Sequence, residues 1–251
     1  MSESPSTNAK PSAGRVAGMW AKELTIVVVG ALIASTLLRL FVAQMFVIPS
    51  GSMENTLLIR DRVMVQKVAG WSRGDIVVFR DTQGWLADPV EETDPVRKTL
   101  IFIGLAPDES SNHLIKRLIG LPGDHVKCCD AQGRVTVNGQ PLDEGSYLYS
   151  TGGQTVAPSS YTFDVIVPKD RIWVMGDHRD NSQDSRCHLS EGTDGMAAFP
   201  PSADVVGSAV AIVYPFDRWR GLSRPDTFAA VPPPTAAPPD KPVITGEIPR
   251  C

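Results

Sequence analysis

The chain has 251 residues, 42% of them hydrophobic and 21% charged, the composition of an ordinary globular protein with room for one large or two small domains. Its net charge of -4 and pI near 5.6 leave no basic footprint, so nucleic acid is not an expected partner. Four cysteines, Cys128, Cys129, Cys187 and Cys251, match neither a zinc motif nor a dense disulfide framework, and neither a metal nor a cofactor is expected.

Residues 1–20 are rich in Ser, Pro, Ala and Gly without apolar periodicity, which predicts a disordered leader. From Leu24 to Ile48 run 25 residues whose only strongly polar members are Arg39 and Gln44, more than the roughly 20 needed to cross a bilayer. The run reads as one spanning helix within an anchor over 21–48. A cleaved signal peptide, with an apolar core of only about 7 to 15 residues, fits less well. Lys10, Arg15 and Lys22 precede the run while Arg60, Arg62 and Lys67 follow it, so the positive-inside count is nearly tied. Long following domains translocate largely regardless of such charges, and the preferred reading is N-terminus inside, remainder outside the cell membrane.

Pro49 restricts Ile48 to extended conformations and fixes its own φ, so the chain is expected to leave the helix here and present Ser50, Gly51 and Ser52 at the lip of the membrane. Short β-like runs follow at 62–67, 75–80, 113–120, 125–130, 134–142, 163–168, 171–177 and 207–215, with Asn138-Gly139 as a hairpin turn signal. The body, 49–222, is therefore read as mostly β. Polar excursions stand at about 81–112 and 143–162, a short helix around 96–105 being one option within the first. Eight prolines in the 29 residues from Ser223 predict a disordered or polyproline-like tail over 223–251.

No G-x-S-x-G, S-x-x-K, H-E-x-x-H or Walker A pattern is present, which disfavours several hydrolase and nucleotide-binding families. A nucleophilic serine needs a base. His178 lies in a polar loop where a solvated histidine is the commoner case. In the run 114–119, alternation puts Leu114, Lys116 and Leu118 on one face and Ile115, Arg117 and Ile119 on the other. Parity leaves both cations open, but chemistry does not: arginine stays protonated, whereas a desolvated lysine releases its proton more readily. Gly176 to Arg186 forms a third constellation, eleven residues without an apolar member entered from the apolar strand Ile172 to Met175.

Taken together, PSGSMENTL, IKRLIGLPGD and GDHRDNSQDSR, with a closing VGSAVAIVYPFDRW, resemble the bacterial type I signal peptidases, membrane-anchored serine proteases of the Ser-Lys dyad type. The resemblance covers roughly 40–220 and three motifs in the family's order. It implies Ser52 as nucleophile, Lys116 as general base, and an oxyanion hole from the Ser52 backbone N–H with the Ser50 hydroxyl. It implies Ser182 as the hydroxyl that orients Lys116, and Asp184 with Arg186 and Asp177 with Arg117 as ion pairs holding the loop against the Lys116 strand. His178 departs from the asparagine commoner in the family. The implied fold is a mostly antiparallel β structure with partly closed barrels behind one transmembrane helix. The implied partners are secretory preproteins with small residues at the cleavage site, and the lipid bilayer. A self-cleaving Ser-Lys protease of the same fold and a non-enzymatic membrane-anchored binding domain are the rival readings. If the domain faces outward, oxidising conditions allow disulfides. One of Cys128 and Cys129 is then expected to pair with Cys187, beside the Ser182 loop.

Overall fold

The computed structural model describes residues 13–86, 93–102, 112–192, 194–246 and 248. Most of the predicted leader lies outside them. Helix α1 spans Ala13–Phe41 and contains a stretch, Met19–Leu38, of mean hydropathy 1.8 that is long and apolar enough to cross a membrane. None of that stretch is buried against the rest of the chain. At 1.5 Å per residue its 20 residues reach about 30 Å, the thickness of a bilayer's hydrocarbon core. The helix starts inside the segment read as leader and stops short of Ile48. Ala43–Val47 is instead a strand, β1, paired antiparallel with β2 (Arg62–Gln66) in the register Ala43↔Gln66 to Val47↔Arg62. An unbroken apolar run cannot distinguish the end of a helix from the start of a buried strand, and the hydrogen bonds of β2 decide it here.

The remaining strands follow in order: β3 (Ile76–Arg80), β4 (His113–Gly120), β5 (His125–Cys128), β6 (Val135–Val137), β7 (Gln140–Pro141), β8 (Ser150–Thr151) and β9 (Gln154–Thr155). Then come β10 (Phe163–Ile166), β11 (Trp173–Met175), β12 (Val205–Tyr214), β13 (Arg220–Gly221) and β14 (Val243–Ile244). Helix α2 (Pro95–Phe102) lies in the first excursion. The larger sheet runs β1-β2-β12-β3-β4-β11, with β13 also on β12; a second runs β14-β10-β5-β6-β7, and β8 and β9 pair alone. Every pairing among the described strands is antiparallel, and the fold is the mostly antiparallel β structure expected. Asn138 and Gly139 take φ of 52° and 79° between β6 and β7, the two positive values that a type I′ turn demands.

The larger sheet is sealed on both faces. Along β3, Ile76 and Val78 join one apolar cluster with Val63, Val65 and Ile115, while Val77 and Phe79 join another with Leu118, Ile172 and Val174. A third cluster fills the second sheet around Val126, Val137, Phe163 and Trp173. The tail departs from expectation. Phe228 and Val231 are buried in that third cluster, β14 extends the second sheet by pairing with β10, and Lys169 N donates to Pro239 O at 2.7 Å. Proline composition hid this because prolines accept hydrogen bonds through their carbonyls and sit well at sheet edges.

Cys128 bonds its neighbour Cys129, so the expected bridge from either of them to Cys187 is not formed. Cys128 ends β5 facing the third cluster, whereas Cys187 borders the cavity described below.

Gly207 on β12 faces the carbonyl of Gln66 so closely that an added Cβ would lie 2.0 Å from that oxygen. Gly207→Ala is expected to destabilise the protein by about 3 kcal/mol, the upper end of ordinary overpacking, through a forced shift of β12 against β2. Urea unfolding in detergent measures it; an unchanged midpoint refutes the close approach.

Candidate active site

Ser52 sits in a single 3₁₀ turn, Gly51–Met53, directly after the extended Pro49-Ser50 segment. Met53 and Leu57 are fully buried in the apolar cluster beneath the turn, and Leu57 N donates to Met53 O at 2.7 Å. The turn is anchored from outside as well: His178 N donates to Ser52 O at 3.0 Å, and His178 Nδ1 lies 2.9 Å from Glu54 Oε2. The His178 ring also stacks on Tyr149, 3.8 Å between centroids. The histidine that departs from the family pattern is thus a clamp on the serine turn.

Lys116 lies on β4 opposite Val77 of β3, on the face it shares with Leu114 and Leu118. It is only 3% exposed, and its Nζ is 2.6 Å from Ser52 Oγ. Burial lowers its pKa from 10.5 to about 8, more than the nearby carboxylates of Asp184 and Asp177 raise it, with the Arg186 charge lowering it further. A protonated Lys116 donates to Ser52 Oγ; a neutral one can accept the serine's proton. Ser50 Oγ stands 3.4 Å from Ser52 Oγ.

Arg117, next on the strand, points to the other buried face and is held chiefly by three groups. Its Nε and terminal nitrogen donate to both oxygens of Asp177 at 2.7 and 2.6 Å, its other nitrogen donates to Gly74 O at 2.7 Å, and its guanidinium lies 4.2 Å from the Tyr147 ring centre. Burial acts against its charge, but Asp177 more than offsets this and its pKa is raised. Thr56, downstream of Ser52, donates to the same Asp177 at 2.5 Å.

The loop that follows β11 is built around Asp184. Its carboxylate accepts two hydrogen bonds from Arg186, each 2.8 Å, one from Gly176 N at 2.9 Å and one from Ser182 Oγ at 2.8 Å. Burial alone would raise Asp184, but Arg186 and these donors hold its carboxyl below the usual carboxylate range. Ser182 is therefore fixed by Asp184 rather than by a bond to Lys116, although both line one cavity of about 540 Å³ with Ser50, Ser52, Leu114 and Trp85. Gly176 has no room for a side chain: a Cβ would lie 2.5 Å from Ser52 O and 2.3 Å from Ser182 Oγ.

All eight residues singled out from sequence thus converge, the two expected ion pairs included. A third buried pair was not foreseen. Arg179 donates to both oxygens of Glu144, at 2.5 and 3.2 Å, and Tyr147 donates to Glu144 at 2.6 Å. Glu144 and Tyr147 stand in the second polar excursion, where nothing in the local pattern separates a buried carboxylate from a solvated one.

A family model described as signal peptidase, peptidase S26, matches residues 20–214. The chain is 36% identical over 221 residues to the signal peptidase I of Mycobacterium tuberculosis (strain ATCC 25618 / H37Rv), covering 79% of this chain and 74% of that one. It is 34% identical over 210 residues to the probable signal peptidase I of Mycobacterium leprae (strain TN), with 72% of each covered. With signal peptidase I U of Bacillus subtilis (strain 168) it shares 32% identity over 205 residues, 78% of this chain and 88% of that one. A match across most of its length, from within α1 to the last residue of β12, means that the chain belongs to the signal peptidase family, peptidase S26.

Proposed function

We propose that this chain is a membrane-anchored endopeptidase that removes signal peptides from exported preproteins after small residues, with Ser52 as nucleophile and Lys116 as general base. The observation that carries the reading is the 2.6 Å contact between Lys116 Nζ and Ser52 Oγ in a buried setting, within a chain of this family. The neutral amine takes the hydroxyl proton as Oγ attacks the scissile carbonyl. The resulting oxyanion is met by the Ser52 backbone N–H and the Ser50 hydroxyl, donors of a kind typically worth about 2.7 to 4 kcal/mol each. The ammonium then protonates the departing amine, leaving an acyl ester on Ser52. A water molecule, deprotonated by the same lysine, releases it. Ser182 and Asp184 support this by fixing the loop wall beside the amine.

An extended substrate places alternate side chains about 7 Å apart. On β4 the residue two before Lys116 is Leu114, which pairs with Phe79, and Trp85 packs edge-on against Phe79 with centroids 5.9 Å apart. Trp85 is itself pinned by an indole bond to Ala197 O at 2.8 Å. The substrate residue two positions before the one whose carbonyl is attacked meets this wall and must be short. Trp85→Ala is expected to raise cleavage of preproteins carrying a leucine at that position relative to alanine by about 10 to 200-fold, the range one or more methylenes command in an apolar pocket. Unchanged selectivity refutes the wall.

Because the neutral amine accumulates as pH rises, preprotein cleavage by detergent-solubilised protein is expected to climb along one ionisation centred near pH 8. Lys116→Arg is expected to be inactive, since a guanidinium does not release its proton, and Ser52→Ala equally so. Retained turnover in Lys116→Arg overturns the dyad.

The same burial affects stability. The unfolded lysine keeps its proton up to 10.5 and the folded one only to about 8, so the unfolded chain binds more protons between those values and stability rises with pH there. Below pH 8 the penalty is constant, at about 3 kcal/mol for a pKa lowered from 10.5 to about 8. Lys116→Met is therefore expected to be the more stable protein at pH 7, with the gap closing as pH rises toward 10.5. Thermal melts at pH 7 and pH 10 check the sign.

For topology, protease added outside intact cells is expected to remove the region after Ile48 while the N-terminal residues stay protected. The reverse pattern refutes the orientation and preprotein processing with it.

A further inference from the structure

The family match ends at Tyr214, yet the chain beyond it returns to the site from behind. Arg224 pairs with Asp75 through bonds of 2.9 and 3.0 Å, and Thr227 Oγ1 accepts a hydrogen bond from Asp143 N at 2.7 Å. These two contacts seat the short 3₁₀ segment Asp226–Ala230 between the turn before β3 and the segment after β7. Phe228 is consequently buried, at 5% exposure. Its ring lies against Gly74, where an added Cβ would be 2.5 Å from Phe228 Cδ2, and its centroid is 6.2 Å from that of Tyr147 with the planes 27° apart.

Gly74 and Tyr147, both in contact with Phe228, also hold Arg117, alongside Asp177 and, at 3.4 Å, Thr56 Oγ1. Gly74 supplies the carbonyl at 2.7 Å and Tyr147 the ring beneath the guanidinium. Tyr147 also donates to Glu144, the partner of Arg179 in the loop around Asp184. One side chain thus backs both the residue adjoining Lys116 on β4 and the carboxylate that anchors the loop facing it. Among the described residues, Phe228 is the one aromatic ring paired with the Tyr147 ring, and the Gly74 turn beside it is held at φ +89°.

We propose that Arg224–Phe228 is a positioning strap for the active site, with Phe228 acting through Gly74 and Tyr147 on Arg117 and thereby on the alignment and dryness of the Lys116–Ser52 pair. The inference rests on the peptidase reading above. Removing the ring leaves a cavity behind Gly74 and Tyr147, and cores relax only partly around such cavities. Arg117 then loses backing on two sides, and water gains a route to β4. The charged groups facing Lys116 are Asp184, Asp177 and Arg186, with the Ser52 hydroxyl in contact. Asp177 is bonded to Arg117, and the loop carrying Asp184 and Arg186 is tied to Glu144 through Arg179; burial is what holds the amine near 8 rather than 10.5. Hydration shifts its titration upward.

The test uses the full chain in detergent, with wild type, Phe228→Ala and Phe228→Leu compared below the melting temperature of each. For Phe228→Ala, kcat is expected to fall by about tenfold, short of the roughly 10²-fold that a 1 Å misplacement brings. KM is expected to stay within about twofold. The midpoint of the pH–activity curve is expected to rise by about one pH unit. Phe228→Leu, which keeps an apolar filler, is expected to lie between. A purely structural role predicts a lowered melting temperature with kcat per folded molecule and the pH midpoint unmoved, and that result overturns the strap. If Phe228→Ala does not fold, the pH midpoint of Phe228→Leu decides: unmoved, the proposal fails. A wild-type protein that cleaves no preprotein refutes the peptidase reading instead.

Discussion

Keeping a primary amine out of water favours its neutral form, and the burial of Lys116 shapes the fold around it. β4 carries it in a sheet covered on both faces, so the face bearing Lys116 packs with Val77 and Leu118. Alternation then forces the next residue into the opposite core. Arg117 is buried as a corollary of burying Lys116, and a buried guanidinium demands partners on every side. Asp177, Gly74 O and the Tyr147 ring answer that demand.

The same constraint explains why charges near the amine come in pairs. An isolated carboxylate in this setting would draw the lysine's pKa upward and hold it protonated. Asp184 is matched by Arg186, Asp177 by Arg117 and Glu144 by Arg179, so that burial remains the dominant influence on Lys116. Such pairs are weak sources of stability, since desolvation offsets much of their attraction, but losing one partner leaves a buried charge alone. Their contribution is to fix where Gly176, Ser182 and the serine turn meet.

Much of this was legible in the chain itself. Strands β2, β3, β4, β10, β11 and β12 stand within a residue or two of the apolar runs that predict them, and Asn138-Gly139 forms its turn. Ser52, Lys116 and the Asp184 loop are recognisable because three motifs in fixed order are specific where each alone is not. Three things were not legible. The junction of helix and strand at Val42 lies inside a uniformly apolar run, where composition is silent and only pairing with β2 marks the change. Glu144 and Tyr147 look like surface residues until Arg179, far along the chain, is folded onto them. The tail reads as disordered from its prolines, whereas Phe228, Val231 and β14 supply a few anchors that composition averages away.

Only Val42 separates the last residue of α1 from the first of β1, and it is itself bonded on both sides: its N–H to Leu38 O at 2.8 Å and its carbonyl to Lys67 N at 2.9 Å. Helix and sheet are therefore coupled without a tether. A domain on a flexible linker would sample a hemisphere of heights and angles, whereas here main-chain hydrogen bonds run from α1 into the sheet without a break. On the reading proposed above, with α1 in the membrane and Ser52 as nucleophile, the depth of the helix sets the height at which a peptide bond can be reached. On that reading the joint acts as a ruler, screening candidate bonds by distance before any pocket examines their side chains.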